Sequence, residues 1–378
     1  DLTIATDQIS SLKVLGPTPK QGPLQVGFEP HASGAITTNP YTRYAVADFN
    51  NDRLPDFAVS DRNKGSESVD IYLNDGSGAL VLQESYPMGH FPQHIGTGDF
   101  DEDGNVDLLV AVYDGRLGHG TMHLFKGGGD GSFVAGPGFS PKVDGKGLNP
   151  CRLAIGDLNN DDHLDFVVEM NNDWALNVHW GDGKGSFEPR TSCRNGQNPG
   201  NTEIVDLNND GWPDLVSVSQ YTSLFVHLSD RAGGYEAPVQ YLKGTTRRQP
   251  VVAGDLDNDG DIDLMVADFK SHHASIMLNN GDGGFAETGK VNGPDRMALA
   301  KLTDLDRDGR MDCVLASGKK LMVLPGKGDG TFQPPVVHDL GHSVSALELH
   351  DLNHDGLLDI VCLDREKHQV RMHLRIAK

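Results

Sequence analysis

The sequence predicts an all-β protein, a seven-bladed β-propeller of four-stranded blades whose ring is closed by the N-terminal segment. Three observations carry that expectation. One nine-residue acidic segment recurs seven times within 378 residues. Successive copies begin 51, 58, 49, 49, 49 and 47 residues apart, which is the length of one four-stranded blade. Forty-six glycines and twenty prolines supply the tight turns that many short strands need, and no stretch shows helical periodicity.

The recurring segment has a fixed internal pattern. Its first position is Asp48, Asp99, Asp157, Asp206, Asp255, Asp304 and Asp351. The third is Asn50, Asp101, Asn159, Asn208, Asp257, Asp306 and Asn353, and the fifth is Asp52, Asp103, Asp161, Asp210, Asp259, Asp308 and Asp355. The ninth is Asp56, Asp107, Asp165, Asp214, Asp263, Asp312 and Asp359. The seventh varies freely as Leu54, Asn105, His163, Trp212, Asp261, Arg310 and Leu357, as expected where only the backbone carbonyl is used.

Each copy sits in the same frame. An apolar strand leads in, as in Tyr44–Ala47 or Val251–Ala253, and an alternating run leads out, as in Phe57–Val59 or Leu264–Val266. A third strand follows, such as Val69–Leu73 or Leu224–Leu228. A Gly-rich turn such as Asn280–Phe285 or Gly328–Phe332 then opens the fourth strand at an aromatic residue. The seventh unit lacks a fourth strand before the chain ends. Gly27-Phe28-Glu29-Pro30 resembles the fourth-strand starts at Ser186–Pro189 and Thr331–Pro334, so residues 24–37 are expected to complete the last blade and cover an open edge. Residues 24–378 then form one propeller domain, and residues 1–23 are an extension outside the repeat.

Oxygens at positions 1, 3, 5 and 9, with a carbonyl at 7, make a compact hard-cation site. Ca²⁺ takes roughly 6–8 oxygens at about 2.3–2.6 Å and tolerates irregular geometry, whereas Mg²⁺ demands a near-ideal octahedron. Glycine at position 6 permits the sharp turn around the ion. We therefore expect up to seven Ca²⁺ sites, the weakest being loops 48–56 and 157–165, where Arg53 and Asp162 replace that glycine. Carboxylates crowded into one loop repel one another, a strain that a bound cation relieves.

The repeat, Asp-x-[Asp/Asn]-x-Asp-Gly-x-x-Asp with a downstream Gly-Asp-Gly-x-Phe turn, resembles the FG-GAP/VCBS repeats that build the propeller head of integrin α-subunits and many secreted bacterial proteins. The likeness spans residues 24–378. It implies a calcium-binding propeller, but members include adhesion modules, lectin-like domains and polysaccharide lyases, so it does not select a function.

Fifty-four acidic residues against 32 basic ones give a net charge of −22, which excludes an ordinary nucleic-acid binder. No apolar run reaches the ~18 residues of a membrane-spanning helix. The chain opens at Asp1 rather than Met, and we read this as a processed N-terminus on a monomeric secreted or extracellular protein, periplasmic or cell-surface placement being the alternatives. Cys313 and Cys362 follow the last loop aspartate at core positions and read as packing thiols. Cys151 and Cys193 flank the third unit, where a disulfide and two free thiols are equal alternatives; a disulfide would fit an oxidising compartment. His123, His179, His227 and His373 read as one repeated third-strand position, shared with Tyr72, Met277 and Val323.

The aspartate loops should share one face of the ring, leaving the strand two-to-three and inter-blade connections on the other. Those connections vary and carry Tyr41, Arg43, His94, Tyr113, Arg116, Trp174, Arg247, His272 and Arg296, groups suited to stacking on sugar rings and bonding hydroxyls or carboxylates. The expected function is a calcium-stabilised binding module for a glycan or protein partner on that face. The alternative is a polysaccharide lyase on an acidic glycan, with arginine neutralising the uronate and His and Tyr acting as base and acid, chemistry that His94, Tyr113, His119, His272 and Arg296 could supply.

Overall fold

The computed structural model describes residues 27–34, 43–62, 65–76, 79–114, 119–143, 149–196, 198–219, 223–242, 250–268, 273–293, 299–352, 355–364, 366–367 and 369–376. Among them, twenty-eight strands form seven antiparallel four-stranded sheets and no helix occurs. Blade one is Tyr44–Ala47, Asp56–Asp61, Ser68–Asn74 and Leu80–Pro87; blade two is Phe91–Gly98, Asp107–Asp114, His119–Gly127 and Phe133–Ala135. Blade three runs through Pro150–Gly156, Asp165–Met170, Ala175–Gly181 and Phe187–Arg194, and blade four through Pro199–Val205, Asp214–Ser219, Leu224–His227 and Val239–Tyr241. Blades five and six repeat the order from Val251 to Asn292 and from Leu299 to Asp339. Blade seven contains Val344–His350, Asp359–Asp364 and Gln369–Ile376, with Gly27–Gly34 hydrogen-bonded to the last of these as its outermost strand. The expected extension 1–23 lies outside the described residues.

The core is divided among the blade junctions. Seven buried apolar clusters each draw side chains from two adjacent blades. One joins Phe57, Val59 and Tyr72 of blade one to Val361, Leu363 and Met372 of blade seven, so packing runs around the complete ring. This explains a departure from the expected alternation. The second strands are buried on both faces, as in Asp165–Met170 and Asp312–Ser317, because a neighbouring blade covers each side. Fourth strands such as Leu80–Pro87 lie at the rim and are largely exposed. Complete burial of a Phe or Leu contributes about 1.5–3 kcal/mol, which places most of the stability in these junctions.

The alternatives left open at Cys151 and Cys193 resolve against a disulfide, and both are free thiols. They lie on the first and fourth strands of blade three, with two strands between them; three strand spacings are about 14 Å, beyond the reach of a disulfide. Cys151 Sγ instead lies 3.2 Å from the carbonyl of Glu169. Cys313 and Cys362 are buried core thiols as expected, and burial pushes Cys362 up to about 12. One sequence expectation requires correction, the register of the third-strand histidines. His179, His227 and His373 face Phe166, Leu215 and Ile360 across the sheet, and Tyr72 and Met277 occupy the same position. His123 pairs with Val110 instead, leaving Phe125 at that position in blade two, and Leu324 rather than Val323 holds it in blade six. The longer third strand of blade two, nine residues from His119, displaced the alignment.

Candidate metal loops and the opposite face

Hydrogen bonds shape the described aspartate loops in nearly the same way. The position 1 carboxylate accepts from the N–H of position 6 in each, and from that of position 5 in all but the fifth, where Asp259 N–H turns to Asp257 instead. Asp52 N–H reaches Asp48 Oδ1 at 3.1 Å and Arg53 N–H reaches Oδ2 at 2.7 Å; Gly104, Gly211, Gly309 and Gly356 bond the corresponding Oδ2 of Asp99, Asp206, Asp304 and Asp351. The position 5 carboxylate accepts from position 7, as Trp212 N–H does to Asp210 at 2.8 Å. These short-range bonds are what Asp and Asn side chains offer a turn.

Position 6 is left-handed whether or not it is glycine. Its φ is 88° at Gly104 and 97° at Gly260, and Arg53 and Asp162 follow at 71° and 66°. A non-glycine residue there costs roughly 1–2 kcal/mol, so loops one and three keep the common geometry under strain. Sequence reasoning missed that position 4 is left-handed too, at Asn51, Glu102, Asn160, Asn209, Asn258 and Arg307. That turn throws the side chain toward the next loop. Asn51 Nδ2 donates to Asn105 Oδ1 at 3.0 Å, and Asn160 Nδ2 to the Gly211 carbonyl at 2.7 Å. Glu102 pairs with His163, holding that imidazole's pKa above the ordinary value. Frequent Asn at position 4 was the available signal, since Asn tolerates this conformation better than most residues.

The position 9 aspartates do a different job. Asp56 is buried, and its Oδ2 accepts from Phe49 N–H at 2.9 Å while Oδ1 accepts from Asn74 N–H at 2.8 Å. The same pair of bonds recurs at Asp107, Asp165, Asp214, Asp263, Asp312 and Asp359. Each carboxylate thus ties its loop to the end of the third strand. Burial is the main influence on their acidity and outweighs the two N–H donors. It pushes Asp56, Asp165 and Asp312 up to about 7 and Asp107, Asp214 and Asp263 up to about 6.

Among the described residues the carboxylates converge in three loops. Asp99, Asp101 and Asp107 offer oxygens within 4.8 Å of one another, as do Asp255, Asp257 and Asp259, and Asp304, Asp306 and Asp308. Burial, then the neighbouring carboxylates Asp259 and Asp308, raise the pKa of Asp257 and Asp306. Asp101 Oδ1 and Asp255 Oδ1 are buried without a hydrogen-bond partner among the described residues. A hard cation would complete both oxygens, and each position 9 oxygen keeps a second lone pair for it; the donor set therefore fits Ca²⁺. Loops two and four already hold a basic side chain, with Lys126 Nζ 2.7 Å from Asp101 and Arg231 Nη2 2.8 Å from Asp210. In loops one and three the amides of Asn50 and Asn159 donate to Asp52 and Asp161 at 2.9 Å. Asn353 of loop seven lies outside the described residues.

The other face begins about 20 Å away, the length of the second strand from Asp107 to Tyr113 at ~3.4 Å per residue. Of the residues assigned there from sequence, Tyr41, Arg116, Arg247, His272 and Arg296 lie outside the described residues. Arg43 is held by its backbone, its N–H donating to Ser60 Oγ and its carbonyl accepting from Ser60 N–H, both at 2.8 Å. His94 and Tyr113 are half-buried in adjacent strands of blade two, and His94 follows a register shift after Pro92. With His119 they belong to one blade. Trp174 is 40 % exposed in the turn between the second and third strands of blade three. Its φ is 54°, and its carbonyl accepts from Asn195 N–H at 2.9 Å.

Solved structures similar to this chain share the propeller fold at low identity. A lectin from Agrocybe aegerita, described as recognising non-reducing terminal N-acetylglucosamine, is 18 % identical, with 80 % of each chain covered and a TM-score of 0.58. The BP39L lectin from Burkholderia pseudomallei is 15 % identical over 90 % of this chain and 96 % of its own, with a TM-score of 0.63. BBS1N, solved in complex with ARL6DN, is 9 % identical over 92 % and 96 %, also at 0.63. No curated protein matches the chain. The model of the FG-GAP-like repeat matches residues 48–110, 99–168, 157–217, 206–266 and 304–362. These matches take in well over half of the sequence and centre on the seven-fold aspartate loop, and the chain belongs to the FG-GAP-like repeat family.

Proposed function

We propose that this propeller is a calcium-stabilised glycan-binding module that works outside the cytoplasm and recognises its ligand on the face opposite the aspartate loops. The observation that carries this reading is Trp174, a large apolar ring left 40 % exposed on a left-handed backbone. Such a conformation costs of order 1–3 kcal/mol at a non-glycine residue and collects at ligand sites. An exposed indole is a stacking platform for the apolar face of a sugar. Asn171 stands in the same turn and Asn198 in the connection to blade four, and planar amides suit sugar hydroxyls. The two lectins of the same architecture support the reading. The aspartate loops at the other end of the blades support it, since oxygen-lined sites of modest affinity would fill at extracellular Ca²⁺.

The test is a glycan array probed in Ca²⁺ and scored for both retention and product formation, with wild type beside Trp174→Ala. Retention without product, lost in the variant at an unchanged melting temperature, is the expected result. Retention by the variant equal to wild type would remove Trp174 from the site. Release of unsaturated products from anionic glycans would establish a lyase instead.

A further inference from the structure

We propose that the junction of blades six and seven holds a second, chemically distinct metal site, for a borderline-soft transition-metal ion of the Zn²⁺ class, built from His342, Cys362 and His373. The three side chains come from the connection into blade seven, its second strand and its third strand. They offer donor atoms within 4.8 Å of one another. All three are buried, at 8 %, 0 % and 4 % exposure. The two Nε2 atoms face each other at 3.2 Å, close to the roughly 3.3 Å that separates two nitrogens on a tetrahedral Zn²⁺ with Zn–N near 2.0–2.1 Å. Imidazole and thiolate are the ligands that select Zn²⁺ over Ca²⁺, which prefers oxygen.

Blade four shows what these positions do without a metal. There Ser217 stands at the place of Cys362 and His227 at that of His373, while Asn195 comes from the preceding connection. Ser217 Oγ donates to Asn195 Oδ1 at 2.6 Å, and His227 Nε2 lies 3.5 Å from the same oxygen. That set is a hydrogen-bonded latch with one shared acceptor. In blade seven the Ser and Asn members are replaced by Cys and His, so every member becomes a transition-metal ligand. A fourth ligand would be water, and binding releases the thiol proton to solvent.

The probe is Co²⁺, titrated into the reduced full-length protein in excess Ca²⁺ so that the aspartate loops are occupied. The expected result is thiolate-to-cobalt charge-transfer absorption saturating at one equivalent, bleached by Zn²⁺. It should vanish in Cys362→Ser, which installs the residue of blade four, and persist in Cys313→Ser. His342→Asn, again the blade four residue, should weaken Co²⁺ binding at least tenfold and serves if Cys362→Ser fails to fold. Absence of the absorption in wild type, or its survival in Cys362→Ser, would leave the two histidines as a hydrogen-bonded latch and overturn the proposal.

Discussion

Asn209 Nδ2 donates to Asp261 Oδ1 across a blade boundary at 2.6 Å. Asn209 is position 4 of its loop and Asp261 is position 7 of the next, so the bond joins two acidic loops that belong to different sheets. Its geometry depends on the left-handed φ of 56° at Asn209.

Two substitutions at Asn209 should separate the backbone from the bond. Asn209→Gly keeps the turn and loses only the side chain, and a single hydrogen bond is worth about 0.5–1.5 kcal/mol. Asn209→Ala loses the bond and also strains the backbone by about 1 kcal/mol. Chemical denaturation should therefore rank wild type above Gly and Gly above Ala. An alanine variant as stable as the glycine one would show that the turn is unstrained.

Position 9 and position 5 aspartates should respond differently to substitution. Both oxygens of Asp263 accept backbone N–H groups, from Leu256 and Asn279. Asp263→Asn would set an amide NH₂ against one of those donors, and a buried unsatisfied group costs about 1–3 kcal/mol. That loss should appear with or without chelator. Asp259 is exposed, so Asp259→Asn should be nearly silent in chelator and should lower the melting temperature only in Ca²⁺. Equal behaviour of the two variants would mean that position 9 is a ligand and nothing more.

Calcium stabilisation should grow with pH. Burial raises Asp56, Asp165 and Asp312 from 3.8 to about 7 in the metal-free fold. The folded state then holds protons that the unfolded chain has released, so each such group is neutral to stability below about pH 4 and fully unfavourable above about pH 7. Burial lowers His179 and His227 to about 4; they act in the opposite sense, but equally with and without metal. The difference between melts in Ca²⁺ and in chelator isolates the loops. It should rise from pH 5 to 7.5 and level off, and a flat difference would exclude linkage between these carboxylates and the ion.

Removal of residues 1–34 should promote self-association. Gly27–Gly34 covers one edge of Gln369–Ile376, and without it that eight-residue strand presents unpaired backbone groups to other molecules. Light scattering and thermal melts of the truncated chain provide the measurement. A monomer with an unaltered melt would show that the strand adds nothing to the ring.

The blade number, the strand order and the acidic loops are local properties, legible because each blade repeats them within about fifty residues. Asp at 1, 5 and 9 and the usual Gly at 6 are dictated by hydrogen bonds inside nine residues, as at Asp48 and Arg53, so sequence periodicity exposes them directly. Contacts between blades leave a weaker trace. The reach of Asn209 to Asp261, the latch of Asn195 with Ser217 and the convergence of His342, Cys362 and His373 join residues from different strands or different blades. The spacing of such pairs depends on register and on the longer third strand of blade two, which also misplaced His123. The separation of Cys151 from Cys193 has the same origin: residues that bracket one blade in sequence sit at opposite edges of its sheet, because antiparallel pairing places the first and fourth strands farthest apart. Only the folded ring decides which side chains meet.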